Sequence, residues 1–267
     1  MKQRAMKITA FVIALGLILG IGLFANHLMG NPISKALASR TAQRHLESNY
    51  SKQGYLLEKI TFKNGYYCAY VSSPCANPDR FLLFLEMDGD LHFDTYEVCK
   101  KKGCSIQGLY YEMQYKDAVE AILNSKTFPY DCHFGTGDLG WVSITHQESN
   151  PSYAIVIDNS LDSHLYTLTD LEKQTGKLIL HLRSEEVSVE QFAKILLDVR
   201  HIFEETETHF YWIDCILESS SSTAEERLEI MDFPRADIYE EGLTERVRAA
   251  NEAIRAYHAA QDAENQE

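Results

Sequence analysis

An unbroken apolar run near the start of the chain constrains its architecture more than any other feature. Residues 8–25 read ITAFVIALGLILGIGLFA, eighteen residues in which Thr9 is the sole polar side chain. As a helix this run is about 27 Å long, close to the hydrocarbon thickness of a bilayer. It has no polar face, whereas a helix packed on a soluble core carries one. Lys2, Arg4 and Lys7 precede it with no acid among them, and the preference of basic residues for the cytoplasmic side places residues 1–7 inside the cell. Lys35, Arg40 and Arg44 beyond the run weaken that bias without reversing it. The exit reads LFANHLMG, with Leu23 where a signal peptidase needs a small residue. The expectation is therefore an uncleaved anchor, an Ile8–Ala25 helix within residues 8–28, at the cell membrane. The N-terminus is cytoplasmic and the bulk of the chain extracytoplasmic.

Beyond the anchor the chain reads as a folded, acidic body. It has 267 residues, 45% of them hydrophobic and 11% aromatic, enough to bury a core. With the three basic residues of the stub set aside, 22 basic side chains face 39 acidic ones. Such a body repels phosphate backbones, so a nucleic-acid partner is not expected.

Periodicity and turn residues predict an α+β fold: a single transmembrane helix followed by two small domains of helices packed on antiparallel sheets. Asn31 before Pro32 reads as an N-cap with proline at the first helical position, opening a helix to about Tyr50. Leu57–Lys63 and Tyr66–Ser72 flank Asn64-Gly65, and Phe81–Met87 and Leu91–Val98 flank Asp88-Gly89, both hairpin signals. A short helix near Lys116–Lys126 comes next. The aromatic, glycine-rich stretch Phe128–Gly140 reads as irregular and as the boundary. Domains are thus expected over residues 29–135 and 136–258, with a polar tail over 259–267. The second domain shows a strand over Tyr153–Asp158, a short helix near Leu168–Thr175 and a strand over Lys177–Arg183. A helix then opens at a Ser188/Gln191 capping box. Strands His209–Glu218 and Arg227–Phe233 lie on either side of a serine run, before a last helix carrying Leu243, Val247, Ala250, Ile254 and Tyr257 on one stripe.

The anchor, the helix from Asn31 and three stretches together resemble the YfjL-like family, uncharacterised membrane-anchored proteins of Gram-positive bacteria. The stretches are YYCAYVSSPCANPDRFLLFLE, TGKLILHLRSEEVSVEQFAKILLDVRHI and RLEIMDFPRADIYEEGL. The first half also resembles small exported domains of PepSY or cystatin-like shape. The resemblance implies a two-part extracytoplasmic protein and supplies no site residues.

Candidate chemistry is sparse. Gly135-Thr136-Gly137-Asp138-Leu139-Gly140 matches G-x-G-x-x-G, with Asp158 eighteen residues past its last glycine. A dinucleotide site needs that pattern between a strand and a helix, and WVSIT after it reads as a strand. Cys99, Cys104, Cys132 and His133 have the donor types of a zinc site but not its paired spacing. In an exported domain Cys99 and Cys104 are instead a candidate disulfide, with Cys68 and Cys75 as a second. Cys215 alternates with Tyr211, Ile213 and Leu217 and reads as a small core residue. Cys132 is a candidate nucleophile, though adjacent His133 points away from it in an extended segment. His181, His201 and His209 are scattered. Asp88, Asp90 and Asp94 lie near one hairpin without a calcium-loop pattern, and Asp237, Glu240 and Glu241 precede the last helix, where its dipole favours acids. No cofactor site and no metal site are expected. The leading expectation is a non-enzymatic binding or regulatory module with an envelope protein or peptide as partner. The competing one is an extracytoplasmic hydrolase using carboxylates or Cys132.

Overall fold

The computed structural model describes residues 30–63, 65–74, 79–102, 105–142, 155–156, 166–220 and 227–264. They form two compact units, divided between Tyr110 and Tyr111.

The first described helix, α1 (Pro32–Asn49), begins as its sequence demands. Asn31 stays extended and its side chain accepts the Ser34 N–H at 2.8 Å, while Pro32 occupies a position whose missing N–H costs no bond. Ser34, Ala38, Ala42 and Leu46 form its buried row. The small residues among them let the helix lie close to a sheet. That sheet is an antiparallel meander, β1 (Leu56–Lys63), β2 (Tyr66–Ser72), β3 (Arg80–Leu85) and β4 (Leu91–Asp94), in spatial order 1-2-3-4. Gly65 at φ 83° and Gly89 at φ 92° supply the left-handed positions of the two hairpin turns. Tyr67, Ala69, Val71, Phe81, Leu83 and Leu85 face α1. The opposite face is also buried at Cys68, Tyr70 and Leu82, which explains why β2 and β3 read as continuous apolar runs rather than alternating ones. Two more helices come next, α2 (Thr95–Lys102) and α3 (Ile106–Leu123), and the division between the units falls inside α3. Tyr110 closes the first unit, its ring edge-on to Tyr70 at 5.4 Å.

The second unit is built on a four-stranded sheet of order β10-β9-β8-β5, made of β5 (Asp131–Leu139), β8 (Gly176–Ser184), β9 (Trp212–Ser219) and β10 (Arg227–Pro234). Two short strands between β5 and β8 in sequence, β6 (Trp141–Val142) and β7 (Ile155–Val156), pair in parallel with each other. Helices α4 (Leu168–Thr175), α5 (Val189–Glu204) and α6 (Leu243–Glu264) complete the unit. Ser188 caps α5, accepting the Gln191 N–H at 3.1 Å. The α5 stripe, with Phe192, Leu196, Val199 and Phe203 fully buried, shares the core with Leu178, Leu180, Leu182, Ile213, Cys215 and Leu217. Strand β10 is an edge, and α6 covers it. Asn251 accepts the Glu229 N–H at 2.9 Å and Arg255 donates to the Arg227 carbonyl at 3.1 Å, so groups that invite strand addition are occupied.

Two parts of the expected fold class are overturned. The second sheet is mixed, not antiparallel: β8 and β9 pair in parallel over Lys177–Ser184, because α5 carries the chain back to the same end of the sheet. Among the described residues no helix is long and apolar enough to cross a membrane. The transmembrane helix expected over Ile8–Ala25 lies outside the described residues, and the fold is α+β with two four-stranded sheets. Local expectations shift as well. The strand expected to reach Val98 ends at Asp94, where α2 begins; the helix expected near 116–126 is the longer α3; Phe128–Gly140 holds strand β5; and the expected tail continues α6 to Glu264.

Candidate functional site

Two open clefts of the first unit lie along one margin. Among the described residues β1 is an outer strand of its sheet, and α1 runs antiparallel beside it. Gln43, Leu46, Glu47 and Tyr50 at the end of α1 flank Tyr55, Leu56 and Leu57 around a cleft of about 730 Å³. Farther along, Asn31, Pro32 and Lys35 flank Ile60, Thr61 and Phe62 around a second of about 410 Å³, closed by Gly30 and Tyr67. The two clefts are separate, with no lining residue in common, and lie toward opposite ends of the α1–β1 margin; that margin with its two clefts is termed the trough. Its α1 wall is the row Lys35, Gln43 and Glu47, spaced by multiples of four. Leu56 on the strand side is 57% exposed.

The aromatic wall of the larger cleft is fixed from behind by two carboxylates. Tyr50 donates to Asp94 Oδ2 at 2.7 Å and Tyr55 to Asp79 Oδ2 at 3.1 Å. The rings of Tyr50, Tyr55, Phe81 and Tyr96 pack edge-on or tilted, with centroids 5.0–6.1 Å apart. Burial, reinforced by Asp94, pushes the Tyr50 phenol far above its ordinary range, and burial with Asp79 does the same to Tyr55. Both therefore stay neutral donors. Asp94 does three tasks at once. Its Oδ1 accepts the N–H groups of Tyr96 and Glu97 at 3.0 and 3.3 Å, capping α2, and its Oδ2 also meets His45 Nε2 at 2.8 Å. The amide of Asn49 lies 3.1 Å from His45 Nδ1; because an amide nitrogen donates, the network assigns the ring proton to Nε2.

The second unit holds the titratable cluster. Lys177 Nζ bridges Asp214 at 2.6 Å and Asp232 at 2.8 Å. Asp232 stands at φ 49° in the bulge between Ile230 and Phe233, held there by its N–H to Asp214 Oδ1 at 2.7 Å. Burial pushes up the pKa of Asp214 and of Asp138, which faces Lys177 across the β5–β8 pairing. In Asp138 the nearby Glu112 adds to the effect. Glu172 on α4 is buried and accepts the His209 N–H at 3.0 Å; desolvation lifts its pKa to about 7. Perturbed groups of this kind mark functional sites or structural ion pairs. Here each carboxylate of the Lys177 group is engaged with a lysine or a backbone N–H. An open cleft of about 600 Å³ in this unit lies elsewhere, between β10 and α6.

The structure separates the residues that the sequence put side by side. Asp88 accepts the Asp90 N–H at 3.0 Å as part of the hairpin turn, whereas Asp94 belongs to the helix cap. Among the described residues no three His, Cys, Asp or Glu side chains converge to hold a metal ion. Gly135 and Gly137 lie within β5 because neighbouring side chains leave no room for a Cβ. One on Gly137 would stand 2.7 Å from the Tyr115 ring and 2.8 Å from Val119. Cys132 donates to the Phe134 carbonyl at 3.2 Å, and burial raises its pKa, which suppresses the thiolate a nucleophile needs. His133 instead packs edge-on to His181 at 5.7 Å. Cys215 is a buried free thiol in the core row. Cys68 and Cys99 are buried, while Cys75 and Cys104, their expected disulfide partners, lie outside the described residues, as does Asp158. The Asp94 cap had a readable signal, aspartate with Glu97 three residues on. The trough had none, since Tyr55, Leu56 and Leu57 read as ordinary strand residues.

Charge is divided unevenly between the units. Residues 111–267 hold 31 acidic and 12 basic side chains; residues 1–110 hold 8 and 13. The acidity of the chain therefore belongs to the second unit, and the unit that bears the trough is not acidic. Residues 5–80 match the YfjL-like, N-terminal domain and residues 114–248 the YfjL-like C-terminal domain. The chain belongs to the YfjL-like family. No curated protein and no solved structure gives a match. In this YfjL-like chain the N-terminal match contains α1, β1 and β2, the elements that form the trough.

Proposed function

We propose that this protein is a non-enzymatic binding module whose binding surface is the trough between α1 and β1 of the first unit, and that its partner is a polypeptide segment. One observation carries the reading: two open clefts flank a strand that is outermost among the described residues, and the aromatic wall of the larger one is tied by hydrogen bonds from Tyr50 to Asp94 and from Tyr55 to Asp79. A preformed wall lowers the entropy lost on binding, and an outer strand offers backbone groups that a second chain can use. Hydrolysis would need an acid and a base, or a nucleophile and a base, converging on one cleft. The engaged Lys177 cluster and the hydrogen-bonded Cys132 thiol supply no such pair. A photoreactive residue at Gln43 of the full chain, expressed in its native cells, tests the reading. Crosslinking to a discrete polypeptide is expected, lost in Leu56→Asp and absent when the probe sits at Glu205. Equal labelling from both positions, or labelling indifferent to Leu56→Asp, contradicts it.

A further inference from the structure

The trough has a direction as well as a shape. The hairpin register pairs Lys63 with Tyr66 across a two-residue turn, and Thr61 and Lys59 sit in step against Cys68 and Tyr70. In such a hairpin the pair at the turn is hydrogen-bonded and alternate pairs are not, so Ile60 and Phe62 turn their backbone N–H and C=O groups away from β2, toward the outer margin. Phe62 and Ile60 are also trough residues. The backbone row and the side-chain clefts thus lie along the same line, and a chain laid there gains both.

The two ends differ in sign. The cleft beside Leu56 contains Glu47 as its charged lining residue and lies against the C-terminal turns of α1, whose last turn has no basic residue. The cleft beside Phe62 contains Lys35 as its charged lining residue and lies against the first turn of α1, which has no acid. Helix ends carry partial charges of the same signs as these side chains, negative at the C-terminus and positive at the N-terminus. Each end of the trough therefore reinforces its own polarity.

Resting on the binding reading above, we infer that the occupant is an extended peptide segment that adds to the outer edge of β1 beside Ile60 and Phe62. It places a basic side chain beside Glu47, an acidic side chain beside Lys35 and apolar side chains between them. Strand addition supplies affinity through main-chain bonds that any sequence can make. The clefts and the two charges supply selection. A purely apolar groove would take a surface helix equally well; the outward row at Ile60 and Phe62 favours the extended form.

Selection from a displayed library of random seven-residue peptides against the full chain tests this, with Leu56→Asp as the counter-selection target. Leu56 is mostly exposed, so that variant folds. Peptides with alternating apolar residues and opposite charges toward their two ends are expected. Glu47→Lys should weaken the selected peptides about three- to fivefold, and Lys35→Glu about equally, as solvent-exposed charge pairs do. Leu56→Asp should weaken them about tenfold or more, the cost of losing one buried leucine contact. Enriched peptides without opposed end charges, indifferent to both charge reversals, overturn the inference and leave the binding reading standing. Enrichment equal on wild type and Leu56→Asp overturns both.

Discussion

Replacing Asp94 by alanine should loosen the first unit by a predictable amount. Two contributions are read directly from its contacts. The carboxylate caps α2 through the Tyr96 and Glu97 amides, and loss of such a cap costs about 1 kcal/mol. It is also the acceptor for the buried Tyr50 hydroxyl, and a buried donor left without its partner costs about 1–2 kcal/mol. The partnership with His45, whose ring is partly open to water, is screened and adds little. The sum is about 2–3 kcal/mol, which in the rapid-reclosing regime accelerates amide exchange in α1, β2 and β3 about 30- to 150-fold. Hydrogen-exchange mass spectrometry of the full chain measures it. Asp94→Asn retains one carbonyl oxygen for the cap and should give roughly a tenfold change, about 1.4 kcal/mol. Changes below threefold in Asp94→Ala would falsify the assignment of Asp94 as the tie between helix cap and tyrosine wall.

Other expected outcomes concern the second unit. Glu172 has a folded-state pKa of about 7, above its ordinary 4.5; the folded state then holds the extra proton, so this group's contribution to stability is greatest below pH 4.5 and declines as pH rises toward 7, by at most about 1.4 kcal/mol per pH unit. The stability difference between wild type and Glu172→Gln in urea should show that decline between pH 4.5 and 7, and a flat difference contradicts it. Gly137→Ala should destabilise by about 1–3 kcal/mol through overpacking against Tyr115 and Val119. Ser188→Ala should cost about 1 kcal/mol through loss of the α5 cap. Denaturant midpoints followed by tryptophan fluorescence check both.

Most of the fold was legible where a local rule acted alone. Asn31-Pro32 and Ser188 start helices because their side chains or missing donors suit a first turn. Asn64-Gly65 marks a hairpin because the turn needs positive φ, and Gly65 adopts it. Legibility failed where packing overrode local pattern. Gly135 and Gly137 look like loop residues, yet they belong to a strand because Leu123, Tyr115 and Val119 occupy the space of their missing side chains. The parallel pairing of β8 and β9 was readable in principle, since a strand, a sixteen-residue helix and a second strand form a βαβ unit. The candidate site was less legible still. Leu56 and Glu47 acquire meaning only because a helix and the strand after it lie antiparallel at a sheet margin, and neither residue belongs to a motif.

The most direct test of the account is amide exchange at Ile60 and Phe62 in the full chain, with and without a saturating library-selected peptide. These two outward amides should slow by about tenfold or more on binding, while those of β10, already covered by α6, stay unchanged. Protection confined to β10 or to the Lys177 cluster, with Ile60 and Phe62 unaltered, contradicts it.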